Sequence, residues 1–95
     1  MLAQKATPPK PIYTPNPEYT VAARRDRIQG IVVVKLNLDI DGVPHDMKIA
    51  RTLRQDLDEK AIEAVSKWRF NPAMKDGQPI AVPLKVEVVF NLYSK

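Results

Sequence analysis

The stretch Asp56–Pro72, DLDEKAIEAVSKWRFNP, decides how the rest of the chain is read. Leu57, Ala61, Ala64, Val65 and Trp68 recur at helical spacing and predict a helix with one apolar stripe. Asp56 is placed to accept from the first free N–H groups, and Glu59 three residues on can reach back, as in a capping box. Acidic Asp58 and Glu59 fall in the first turn and basic Lys67 and Arg69 in the last, which suits the helix dipole at both ends. Pro72 disfavours helical geometry at Asn71 and sets the expected end of the helix there. Such a helix needs a sheet or a second helix to cover its stripe.

The sheet lies on either side of it in sequence. In Ile28–Asp41 the residues Val32, Val34, Leu36, Leu38 and Ile40 alternate with Val33, Lys35, Asn37, Asp39 and Asp41, so one strand face is apolar throughout. Ile31 and Val33 make the other face apolar near its start. Asp41-Gly42 then predicts a type I′ hairpin. Val43–Thr52 is the return strand, with Met47 and Ile49 toward the core. Pro44 removes a ladder donor and puts this strand at a sheet edge. Beyond the helix, Asn71–Pro79 is turn-rich, with Asp76-Gly77 able to turn tightly. Ile80–Tyr93 is the last strand, again alternating, and Pro83 near its start marks an edge or a bulge.

Upstream, residues 1–17 hold five of the nine prolines and read as an extended, solvated linker end, with residues 1–11 a tail. Glu18–Arg27 reads as a short helix capped by Asn16, with Pro17 at its first position and Tyr19, Ala22 and Ala23 facing inward. The expected division is residues 1–15 as linker and 16–95 as one domain. The expected fold is α+β, a two-layer sandwich. A three-stranded antiparallel sheet has its first strand central, and the long helix packs on one face. The core is Val32, Val34, Leu36, Leu38, Leu57, Ala61, Val65, Trp68 and Phe70.

Ninety-five residues, 44% hydrophobic and 27% charged, describe one globular domain. No apolar run approaches the length of a membrane helix, and Met1 leads into Lys5 and prolines rather than a signal peptide. The chain is therefore expected to be a fragment whose targeting segment is missing. The net charge of +4 is concentrated upstream. Residues 1–27 carry five basic and two acidic side chains, against ten and nine in residues 28–95. That distribution argues against nucleic acid as a partner.

Catalytic chemistry is not expected. There is no cysteine, and the serines are Ser66, within the helix, and Ser94, at the terminus. His45 is the only histidine and reads as a surface side chain, so no metal site or cofactor is expected. Asp39 and Asp41 share a strand face beside a turn, where acids are usually solvated, and the three glycines stand too far apart for a phosphate loop. What remains is a sheet with two open edges, and an open edge can accept another strand. Pro44 and Lys48 blunt the hairpin edge. Binding is therefore expected along the last strand, at Val82, Pro83, Leu84, Lys85, Val86, Glu87, Val88, Val89, Phe90 and Asn91. The occupant would be a partner peptide or, through the same groups, a second copy in a homodimer.

The chain also resembles the C-terminal domain of TonB-family energy transducers. The matching pieces are NPEY at Asn16–Tyr19, ARRDRIQG at Ala23–Gly30, the alternating strand ending in Asp41-Gly42, LDEKAIEAVSKWRFNPA at Leu57–Ala73, KDGQPI at Lys75–Ile80 and the apolar last strand. The resemblance covers roughly residues 12–93. It implies a periplasmic domain whose full-length protein is anchored in the inner membrane by an N-terminal helix, followed by a Pro-rich spacer. It implies coupling of a proton-driven inner-membrane motor to outer-membrane transporters of iron chelates, cobalamin or similar cargo. The last strand would pair with a short transporter motif, the TonB box. The family's Q-P-x-Y-P element also contacts the transporter. Here Pro17 and Tyr19 match it, Asn16 stands in the Gln position and Thr20 in the second Pro position. Domains of this family also end membrane-anchored sensors, peptidase-like proteins and envelope structural proteins, so an interaction or sensing module is the second expectation.

Overall fold

The computed structural model describes residues 6–92. Its elements in order are β1 (Ala6–Thr7), β2 (Lys10–Tyr13), α1 (Val21–Arg25), β3 (Gly30–Leu38) and β4 (Pro44–Arg51). They continue with α2 (Gln55–Ser66), β5 (Arg69–Asn71), β6 (Ala73–Lys75), β7 (Gln78–Ile80) and β8 (Val82–Phe90).

The principal sheet is antiparallel with order β4-β3-β8, so the alternating strand β3 is central. Its even-numbered residues Val32, Val34, Leu36 and Leu38 are buried, together with Leu57, Ala61 and Val65 from α2, Phe70 from β5 and Val88 and Phe90 from β8. Trp68, Met47 and Ile49 pack against this cluster while half-exposed. Ile40 stays 52% exposed because the strand ends at Leu38 and Ile40 falls in the turn.

Several local expectations are corrected. The Asp56–Glu59 capping box does not form. α2 starts at Gln55 with Arg54 as its cap residue and no side-chain cap bond. Asp58 instead reaches back, accepting from the Leu53 N–H (3.0 Å) and the Thr52 hydroxyl. Nor does Pro72 end the helix. Lys67 and Trp68 donate to the carbonyls three residues back, Ala64 and Val65, which tightens and closes the last turn after Ser66. Trp68 and Arg69 thus lie beyond the helix, and the residues before Pro72 form β5. Likewise α1 begins at Val21, not Glu18. Its cap is Thr20, whose hydroxyl accepts from Ala23 N (3.0 Å), rather than Asn16.

The turn chemistry is exchanged between the two Asp-Gly pairs. The Asp39–Val43 connection has a three-residue loop: Gly42 N donates to Asp39 O, Asp39 N donates to Val43 O, and Gly42 has φ +81. This is a type I turn closed by a left-handed glycine, not type I′. Asp39 enforces it by accepting from the N–H groups of Asp41 and Val43 (both 2.9 Å). The type I′ conformation appears at Asp76-Gly77 (φ +52 and +80), which joins β6 and β7 as a hairpin inside the expected loop. That hairpin takes Ile80 into β7, so β8 starts at Val82. The strand ends at Phe90, and Tyr93 lies outside the described residues.

The proline tract is extended and exposed, as its composition predicts. It is not free of the fold, however. β1 pairs with β6 and β2 with β5, both antiparallel.

Candidate functional site

Among the described residues, β8 is an edge strand, hydrogen-bonded to β3 alone in the principal sheet. Which of its backbone groups are open follows from the ladder. The Asp39 N–H is spent on Val43, so the odd-numbered residues of β3 face β4 and the even ones face β8. The β3–β8 register runs without a bulge from Gly30↔Phe90 to Leu38↔Val82. Hence Val82, Leu84, Val86, Val88 and Phe90 bond inward. Pro83, Lys85, Glu87 and Val89 turn their backbone groups to the open side. Pro83, which has no N–H, sits where the ladder loses nothing.

Side chains follow the same alternation. Val88 and Phe90 are 1% and 2% exposed and belong to the core, whereas Val89 is 57% exposed. The run expected to bind as a whole therefore divides into an inner row and an outer row.

A groove of about 480 Å³ runs along the open edge between Leu84 and Val89. It is lined as well by the proline tract at Pro9, Pro11, Asn16 and Pro17, which forms its other wall, and by Trp68 and Phe70. The wall is held in place by the Trp68 indole N–H, which donates to the Pro15 carbonyl (3.0 Å). Sequence reading placed Trp68 in the core and missed this role, because the bond joins residues 53 positions apart.

A second groove, of about 520 Å³, continues past the end of β8. It brings Asn16, Pro17 and Tyr19 together with Val89, Phe90 and Asn91, the two separately expected contact regions. Tyr19 fixes this corner. Its hydroxyl donates to Ile28 O (2.6 Å), its ring meets Phe90 edge-on at 5.5 Å, and the Arg24 guanidinium lies 5.2 Å from its centroid. Desolvation raises the Tyr19 pKa, with Arg24 pulling the other way, so the phenol stays a neutral donor.

Two aspartates brace the site without lining either groove. Asp56 takes the Thr20 hydroxyl (2.5 Å), and that bond holds its pKa below the ordinary aspartate value. Asp26 is lowered by its hydrogen bond from Arg54 (2.9 Å). Among the described residues, no three His, Cys, Asp or Glu side chains stand close enough to hold a metal, and no helix is long and apolar enough to cross a membrane.

A family model for the Gram-negative bacterial TonB protein C-terminal matches residues 15–92. The chain belongs to the TonB C-terminal family. It is 35% identical over 77 residues to Protein TonB of Xanthomonas campestris pv. campestris (strain B100), covering 80% of this chain and 34% of that protein. It is 31% identical over 78 residues to Protein TonB of Vibrio cholerae, covering 81% and 32%. The chain thus spans about a third of the length of these relatives. The solution NMR structure of the Pseudomonas aeruginosa TonB C-terminal domain superposes with a TM-score of 0.73 at 25% identity, covering 92% of this chain and 89% of that one. The Helicobacter pylori TonB C-terminal domain shares the fold, with a TM-score of 0.63 at 22% identity over 84% of this chain and 85% of that one.

Proposed function

We propose that this chain is the periplasmic end of a TonB-type energy transducer. In the full-length protein it is anchored to the inner membrane by an N-terminal helix and driven by a proton-powered motor. The outer edge of β8 takes up the TonB box of an outer-membrane transporter by strand addition. The cargo class is iron chelates, cobalamin or similar compounds.

The observation that carries this reading is the groove on the open β8 edge, lined by Leu84, Val86, Glu87 and Val89, by the proline tract and by Trp68. An extended peptide laid there gains a row of backbone bonds and places alternate side chains against Leu84, Val86 and Trp68. One such bond contributes only about 0.5–1.5 kcal/mol net. Several loaded side by side can transmit a pull along the strand where a single one could not.

The chain has no cysteine, so an introduced one is unique. A TonB-box peptide bearing one cysteine is expected to form a disulfide with Val89→Cys and not with Lys48→Cys on the opposite edge. Cross-linking only at residue 48 would overturn the assignment. Cross-linking of Val89→Cys only to a second copy would give the edge to a homodimer instead.

A further inference from the structure

The face of the β4-β3-β8 sheet that α2 leaves open carries three lysines in one row. Lys35 is in register with Lys48 across one ladder and with Lys85 across the other. All three are exposed, and among the described residues none forms an ion pair. Like charges directly opposite on one sheet face destabilise it, so the row costs the fold something. The nearest acids offset only part of it, and neither forms an ion pair with the row. Glu87 is one step along, in register with Val33, and Asp46 on the β4 bulge accepts from the Asn37 amide (3.1 Å). Arg51, also in register with Val33, adds to the positive side.

A groove of about 720 Å³ crosses the three strands at this row, lined by Lys35, Lys48, Lys85, Asn37, Asp46 and Pro83. Its concavity suits a chain lying in it better than a planar lipid surface. We infer that this face docks an acidic polypeptide segment of a partner, at a place separate from the β8 edge. Carboxylates on successive turns of a helix, about 5–6 Å apart, match lysines on neighbouring strands about 4.7–4.9 Å apart. A second copy of this chain is a poor source. Its densest acidic run is Asp56–Glu59, where Asp56 and Asp58 are already bonded to Thr20 and Thr52.

The test titrates the isotope-labelled chain with a short polyglutamate peptide, with polyglutamine as control, at low and at physiological salt. Polyglutamate is expected to shift the amides of Lys35, Lys48 and Lys85, with affinity falling as salt rises. The double variant Lys35→Gln/Lys48→Gln, which leaves β8 intact, should weaken polyglutamate at least about tenfold. The same variant should bind a TonB-box peptide as the parent does, so failure here and failure of the strand-addition reading are separable. Lys85→Gln alone, with its fold checked by the same spectra, gives a second measure of the loss. Absence of shifts at the row, or unchanged affinity in both variants, would overturn the inference. Binding to phosphatidylglycerol vesicles in preference to polyglutamate, lost in the same double variant, would also overturn it, by moving the face to a membrane.

Discussion

The Phe70 carbonyl oxygen lies 1.8 Å from where a Cβ on Gly42 would stand, and Gly42 has φ +81. The two residues also bond directly, Phe70 N–H to Gly42 O at 3.0 Å. Gly42→Ala should therefore cost more than about 2 kcal/mol, from backbone strain plus a forced separation of hairpin and β5. A lower urea midpoint with unchanged slope would show it. Gly77 supplies the control. It has φ +80 but, its chain neighbours aside, no described residue within 4 Å of an added Cβ, so Gly77→Ala should cost only the strain, about 1–2 kcal/mol. At Trp68 the informative change is to Phe, which keeps most of the packing and removes the donor to Pro15. The expected loss is about 0.5–1.5 kcal/mol, with amide shifts in Pro9–Pro17 that a purely local change would not produce. Gly42 and Trp68 also mark what was legible. The D-G pair and the aromatic at the helix end were both recognisable as special. Their actual partners, Phe70 and Pro15, lie far off in sequence, and no local pattern encodes such contacts.

Among elements, β3 was the most legible, because burial on one face and not the other writes a strict alternation into the sequence. β8 was legible as an edge through Pro83. Its division into inner and outer rows was not, since that depends on which way the ladder starts at Asp39. The division leads to a sharp expectation. Glu87→Pro removes an outward N–H and should leave the domain folded while weakening an added strand at least about tenfold. Val88→Pro removes an inward bond and should unfold it. Equal loss of stability in both, read by thermal melts, would contradict the assigned alternation. Within the same sheet, Lys35 stands between two other lysines. Lys35→Gln should raise stability by about 0.2–1 kcal/mol at low salt, an increment that shrinks as salt screens the row. The short strands β5, β6 and β7 were illegible because three residues carry no periodicity. β1 and β2 were hidden by prolines, which signal extension without saying what the extended chain pairs with.

For the whole molecule, carboxylates brace both the junction of the N-terminal segment with α2 and the β3–β4 turn. Asp26, Asp39 and Asp56 all have pKa values lowered below the ordinary 3.8, chiefly by hydrogen bonds from Arg54, from the Val43 N–H and from the Thr20 hydroxyl respectively. A carboxylate with a depressed folded-state pKa stabilises fully above its unfolded value, and that contribution is lost as pH falls through the folded one. Stability should therefore hold from neutrality down to about pH 4 and fall below it. Thr20→Val should make that acid loss shallower, because the bond lowering Asp56 is gone. Urea midpoints across the pH range would check both slopes. The proline tract, Trp68 and the β8 edge together line one groove, where an extended transporter peptide is proposed to lie. The most direct test titrates the labelled domain with a TonB-box peptide and follows backbone amide and indole signals. Shifts are expected at Lys85, Glu87 and Val89, at Asn16–Tyr19 and at the Trp68 indole N–H. Shifts confined to the Pro44–Arg51 edge, or none from a proven monomer, would contradict that placement of the peptide.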